Sequence, residues 1–298
     1  MIRPSRPLQG ILWMLLTGVL FVMVTAVVKF AGENLPAAES AFLRYLIGFV
    51  FLIPFARSAL TVRMPARQVA LFAGRGLVHA IGVMCWFYSM TQIPIAEVTA
   101  MNYLNPVYVT LGAAVFLGER LAWPRICAVL AALAGTVVIL RPGLRAVETG
   151  HLTMLVTAAL FGASYLLAKP LSDRYPAGLV VAMLSVFVTL GLAPFAIAVW
   201  VTPTVSEVFW MGVVALFATA GHYTMTRAFA AAPVSVTQPA TFLQLIWAVL
   251  LGWAFFEESP DLWVVVGATI IILSVTFIAW RESRRSRAIT PPSSAAKF

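Results

Sequence analysis

The chain has 298 residues, 61% of them hydrophobic and only 10% charged, with a formal net charge of +9. A water-soluble domain covers its surface with about a quarter of charged residues, so a soluble globular protein is excluded and the bilayer must be part of the solvent. The basic residues sit in short loops and at the ends without interleaved aromatics, a pattern of membrane orientation; no nucleic-acid partner is expected.

A spanning helix needs about 20 mostly apolar residues. Breaking the chain at Pro, Gly and charge clusters leaves ten such stretches, near 8–30, 37–56, 69–91, 95–117, 122–140, 150–168, 177–201, 207–229, 233–256 and 261–280. None alternates with the period of two that a membrane strand requires. The reading is therefore an all-α integral membrane protein. The first stretch follows Arg3 and Arg6 but exceeds the roughly 7–15 apolar residues of a signal core, so it is read as a span. The segment 282–298, Pro/Ser-rich and basic, is expected to be a disordered cytoplasmic tail. Cys85 and Cys127 lie in apolar stretches and are read as small hydrophobes, with no disulfide.

With the N-terminus in the cytoplasm, 15 Lys and Arg residues fall on the cytoplasmic side, and only Lys29, Arg141 and Arg145 on the other. This bias predicts a multi-pass protein of the cell inner membrane with both termini cytoplasmic. Arg44 and Arg75 lie inside spans within about two turns of an end, where snorkelling to the interface is the expectation. Glu39 and Glu97 are at outer helix ends and read as hydrated.

The chain repeats itself. At a shift of 140, Gly10, Phe21, Lys29, Pro36 and Pro54 meet Gly150, Phe161, Lys169, Pro176 and Pro194; at 139, Gly82, Pro94, Tyr103 and Glu119 meet Gly221, Pro233, Phe242 and Glu258. Each unit holds five spans, and an odd number makes the second unit enter the membrane from the opposite side. The expected organisation is 1–145 as one five-helix repeat and 146–281 as its inverted counterpart, around a central cavity. Such halves allow one site to open to either side.

The fourth stretch, from Ala96 to Arg120, reads AEVTAMNYLNPVYVTLGAAVFLGER. With the turn at Ile93-Pro94, the mid-helix Pro106 and the closing Gly-Glu-Arg, it resembles the signature of the drug/metabolite transporter superfamily, in its EamA-type ten-helix members. The second half echoes it from Ala232-Pro233 to Glu257-Glu258, with Ser259 in place of the arginine. The resemblance implies a 5+5 fold in which four helices of each half wall a central cavity. It also implies transport of small metabolites, with the bacterial amino-acid exporters, aromatic ones included, the nearest in look.

Polar groups at bilayer depth usually face a cavity or a partner. His79, near the midplane of the third span, and His222, in the eighth, are candidate substrate ligands. Trp86, Tyr103, Tyr165 and Tyr223 offer stacking surfaces with polar tips, and Asn102 and Gln244 add amides. Pro106 and Pro239 remove the backbone donors that would cap the carbonyls of Asn102 and Ser235, leaving carbonyls at depth. The run Cys127, Ala131, Gly135 suggests close packing of the fifth span on the tenth, near Gly267 and Ala268.

No phosphate loop and no metal-ligand spacing is present, so no cofactor, metal or ATPase activity is expected. Gly162-Ala163-Ser164-Tyr165 lacks the second glycine of a hydrolase elbow. An intramembrane enzyme would have only Ser164 with His79 or His222. The favoured reading is a non-enzymatic exporter of small organic metabolites, amino acids above all, working in the bilayer by alternating access and needing no more than a monomer.

Overall fold

The computed structural model describes residues 7–289 except 33, 62–63, 118–122, 145, 173, 232–239 and 241. The described residues form eleven helical segments: α1 Pro7–Ala31, α2 Ala37–Thr61, α3 Ala66–Gln92, α4 Ile95–Asn102, α5 Asn105–Leu117, α6 Trp123–Leu140, α7 Thr149–Ser172, α8 Ala177–Ala198, α9 Val205–Ala231, α10 Gln244–Phe256 and α11 Leu262–Ile289. Segments α4 and α5 share one span, and α10 is the described part of another. This is the all-α, ten-span fold expected. Leu8–Ala31, Ala66–Gln92, Thr149–Leu167, Gly178–Ala198 and Val205–Met225 are each long and apolar enough to cross a bilayer unaided.

Proline sets several starts. Pro65, Pro94 and Pro176 sit immediately before α3, α4 and α8 with φ near −57° and ψ near 145°, where the absent N–H removes nothing a helix needs. The fourth span differs from expectation. Instead of one helix carrying a bare Asn102 carbonyl, it breaks at Tyr103-Leu104 through tight i→i−3 bonds to Ala100 and Met101. Pro106 thereby falls in the first turn of α5, where its missing donor costs nothing. Pro239, its counterpart, lies outside the described residues, as do Pro233, Ser235, Glu119 and Arg120. The tail departs as well: α11 continues helical to Ile289, eight residues into the segment read as disordered.

The repeat is visible in helix bounds. A 139-residue shift carries α3 onto α9 and α5 onto α10, end for end. Packing repeats it too. The α1·α9 and α3·α7 pairs are the same contact with the halves exchanged, whereas α2·α8 and α6·α11 each join a helix to its own counterpart. A two-fold axis between inverted halves produces both kinds of pair at once.

Two apolar cores result. One gathers Val24, Leu43, Val83, Phe87, Leu184 and Val214 from α1, α2, α3, α8 and α9, with Phe161 of α7. The other joins Leu104 and Val107 to α6, α10 and α11. At its edge α6 and α11 approach closely: a Cβ on Gly135 would stand 2.7 Å from the Gly267 carbonyl oxygen. The predicted stripe is one position out of phase, because Ala128, Ala132 and Ile139 carry the contact beside Gly135, while Cys127 is exposed.

Candidate functional site

Four helices turn polar or aromatic side chains toward the axis between the halves. His79 stands at the middle of α3 and is 8% exposed. Its Nδ1 is 3.2 Å from Ser164 Oγ on α7, and its ring stacks on Phe161 with centroids 4.7 Å apart. Trp86, seven residues along the same helix, meets Phe161 edge-on at 6.0 Å, and its indole N–H is buried without an acceptor. Tyr165, one residue past Ser164, is within electrostatic reach of Arg75 and Tyr45. Those two residues are only 7% exposed, whereas Tyr165 itself is 47% exposed. His222 of α9 packs edge-on against Phe21 of α1 at 5.2 Å and lies within electrostatic reach of Arg44 and Arg75.

Arg44 and Arg75 are a correction. Both were expected to snorkel, yet each is only 7% exposed. Arg75 shares a helix face with His79 at i, i+4, and a neighbour of a midplane residue on that face is carried inward with it. Arg44 lies 4.0 Å over the ring of its own neighbour Tyr45. Among the described residues neither arginine has a carboxylate partner.

The other sequence candidates fall elsewhere. Tyr103 is buried in the break of the fourth span, where its hydroxyl donates to the Phe242 carbonyl at 3.3 Å and its ring meets that of Phe242. It therefore joins the two repeat-equivalent positions and does not line open space. Asn102 accepts from Asn105 Nδ2 at 3.0 Å across the same break. Gln244 opens α10 beside Gly18 of α1. Tyr223 is half exposed, and its hydroxyl accepts from Arg227, whose guanidinium lies over Trp13.

Glu39 and Glu97 are not hydrated. Glu39 is fully buried, its Oε2 accepting from the Val201 N–H at 3.0 Å. Glu97 Oε2 is 2.6 Å from His151 Nε2, both side chains 3% exposed. The Glu148 N–H donates to His151 Nδ1 at 3.0 Å, so Nε2 carries the proton toward the carboxylate. His151 thus caps the start of α7 while holding α4. On the same side of the bundle Lys29 pairs with Glu258 at 2.6 Å, and Arg141 pairs with Asp261. A cavity of about 360 Å³ opens there, between the α1–α2 turn and the end of α3, lined by Asn34, Ser40, Tyr88 and Gln92 among others.

An enzyme reading needs the Ser164–His79 pair, and the two do bond. Ser164 is nevertheless 0% exposed, and among the described residues no carboxylate holds the other imidazole nitrogen, so no substrate carbonyl has a path to Oγ and no group orients the base. The bond instead ties α3 to α7 as interhelical hydrogen bonds do. Among the described residues no three His, Cys, Asp or Glu side chains gather around a metal position.

Two inverted five-helix halves are the arrangement of a known group of carriers. The EamA-like transporter family model matches this chain twice, over residues 8–141 and 148–280. The chain belongs to that family. A riboflavin transporter of Rhizobium johnstonii is 31% identical over 96% of both chains. A pseudopaline exporter of Pseudomonas aeruginosa is 28% identical, covering 89% of this chain and 94% of its own. An S-adenosylmethionine uptake transporter of Rickettsia prowazekii is 27% identical over 93% and 94%. A solved crystal structure at 24% identity superposes with a TM-score of 0.59 over 92% of this chain and 97% of that one, which speaks to the fold alone. None of the three named relatives is an aromatic amino-acid exporter. This EamA-type membrane protein is therefore a transporter of small metabolites, like its named relatives.

Proposed function

We propose that this chain carries a small organic metabolite bearing an aromatic ring across the cell inner membrane by alternating access. The observation that supports this most is the open face of Tyr165 beside Phe161 and Trp86, an aromatic wall at mid-span where α3 of one half meets α7 of the other. Rings stack on such walls at centroid separations of about 4.5–7 Å, and the unbonded Trp86 N–H offers a donor for a polar atom of the guest. The divide between halves is placed at 145/146, and both termini are assigned to the cytoplasm on the Lys/Arg bias. A monomer contains the whole site.

Export of an aromatic amino acid fits these walls. The relatives named for riboflavin, pseudopaline and S-adenosylmethionine widen the panel and include both uptake and export. The test is counterflow in proteoliposomes of the full-length protein with labelled riboflavin, tryptophan, phenylalanine and, as ring-free controls, leucine and alanine, with and without a pH gradient. Accumulation of ring-bearing compounds over the controls is expected. Absence of counterflow for every ring-bearing compound would overturn the reading.

A further inference from the structure

We infer that Arg44 and Arg75 form an anion-binding subsite in the interior of the bundle, selecting substrates that carry a carboxylate or a phosphate beside their ring. The inference rests on the carrier reading and narrows its substrate class.

Arg75 is 93% buried by its 7% exposure, and its Nε and Nη1 are buried with no hydrogen-bond acceptor. Arg44, equally buried, lies over the face of Tyr45. Both act electrostatically on His79 and on His222, so the two guanidiniums border one region where α2, α3 and α9 converge. Burying a cation without a counter-charge is strongly unfavourable, and a second buried cation in the same region adds repulsion. Such residues within a bilayer face a cavity and serve a ligand.

Among the described residues no carboxylate pairs with either arginine. Glu39 accepts from Val201 through Oε2 while its Oε1 is buried without a partner, Glu97 accepts from His151, Glu258 pairs with Lys29, Asp261 with Arg141, and Glu207 accepts from Thr204. Glu148 and Glu257 are exposed at loops. The counter-charge that these described residues do not supply is the one an anionic guest brings. A guanidinium's planar fork matches the two oxygens of a carboxylate or phosphate, which a lysine ammonium would not. The open face of Tyr165 lies within reach of Arg75, so an anionic group and a ring on one small molecule occupy the two halves of a single pocket.

The test uses detergent-purified full-length protein and two kinds of measurement. In thermal unfolding, inorganic phosphate and benzoate are added at ionic strength matched with sodium chloride, on wild type, Arg75→Gln and Arg75→Lys. At an anion concentration 100-fold over its Kd the wild type should unfold several degrees higher, Arg75→Gln should show no anion-specific shift, and Arg75→Lys should keep a reduced one. A shift with benzoate only assigns a carboxylate, and one with phosphate only assigns a phosphate. Without added anion, Arg75→Gln should unfold at or above the wild-type temperature, since it removes an uncompensated buried charge. Equal anion shifts in wild type and Arg75→Gln, or none in wild type, would overturn the subsite. In liposomes, tryptophan should outcompete tryptamine, and flavin mononucleotide riboflavin, by about tenfold, with the preference lost in Arg44→Gln. Counterflow that is indifferent to the anionic group would sink the subsite and leave the carrier. Anion shifts without counterflow of any compound would sink the carrier and leave the subsite.

Discussion

The Glu97–His151 contact gives the most direct check on the architecture. It crosses from the first turn of α4 to the first turn of α7, 2.6 Å between Oε2 and Nε2, with both side chains 3% exposed. Glu97→Ala leaves the Nε2–H without this acceptor inside the protein, and His151→Ala strips the carboxylate of this donor. Breaking one side of a buried charged contact costs about 3–5 kcal/mol. For a chain of this size about 2–3 °C of melting temperature goes with each kcal/mol, so each single variant should unfold about 6–15 °C lower. His151→Ala should be the worse of the two, because it also removes the acceptor for the Glu148 N–H. Glu97→Gln keeps an oxygen for the imidazole N–H and should lose only about 1 kcal/mol, with maximal transport within a few-fold of wild type. The double Ala variant should fall short of the sum of the singles by about 1–3 kcal/mol. Thermal unfolding of the four purified proteins in one detergent reads all of this. Strict additivity, or Glu97→Gln as damaging as Glu97→Ala, would refute the pairing.

Two further outcomes are expected. His79→Ala should lower stability by about 1–2 kcal/mol, in the range of membrane interhelical hydrogen bonds, while transport per folded molecule changes little, because the imidazole is engaged by Ser164 and Phe161; lost transport at unchanged stability would make it a substrate ligand instead. On a background lacking Cys85 and Cys127, single cysteines at Asn34 and Ala146 should react with an impermeant reagent added to intact cells, and one at Arg67 should not; the reverse pattern would invert the membrane orientation.

Much of the fold was legible because its signals are local or periodic. Apolar runs bounded by prolines gave the spans, and the 139- and 140-residue shifts found the repeat from a few helix-end residues. Lys29 and Glu258 were noticed there only as repeat marks; that they bond each other follows from α1 meeting the end of α10, a contact no short window contains. The same holds for His151, which was not singled out at all: its partner is 54 positions away. Arg44 and Arg75 were misplaced for another reason. Depth along a helix does not decide exposure where rotation about its axis does, and either side chain is long enough to reach an interface if its face allows. The i, i+4 relation of Arg75 to His79 was the available signal, since placing His79 inward fixes Arg75 inward too. The one-position error in the α6 stripe is the same fault on a smaller scale.

The described ionic contacts divide by depth, and the division carries the functional argument. Lys29–Glu258, Arg141–Asp261 and Glu97–His151 all sit at helix ends on one side of the bundle, each group facing its partner. There the pairs join α1 to α10, α6 to α11 and α4 to α7. Arg44 and Arg75, buried inside their spans, have no such partner among the described residues. A protein needing only a rigid bundle would fill those positions with apolar side chains, which would pack as well without leaving charge uncompensated. Arginine at 44 and 75 therefore makes the empty interior unfavourable until an anion enters. That is the property a carrier needs at the point its two halves share, because the bound guest then stabilises the closed, loaded state that must form between one opening and the next.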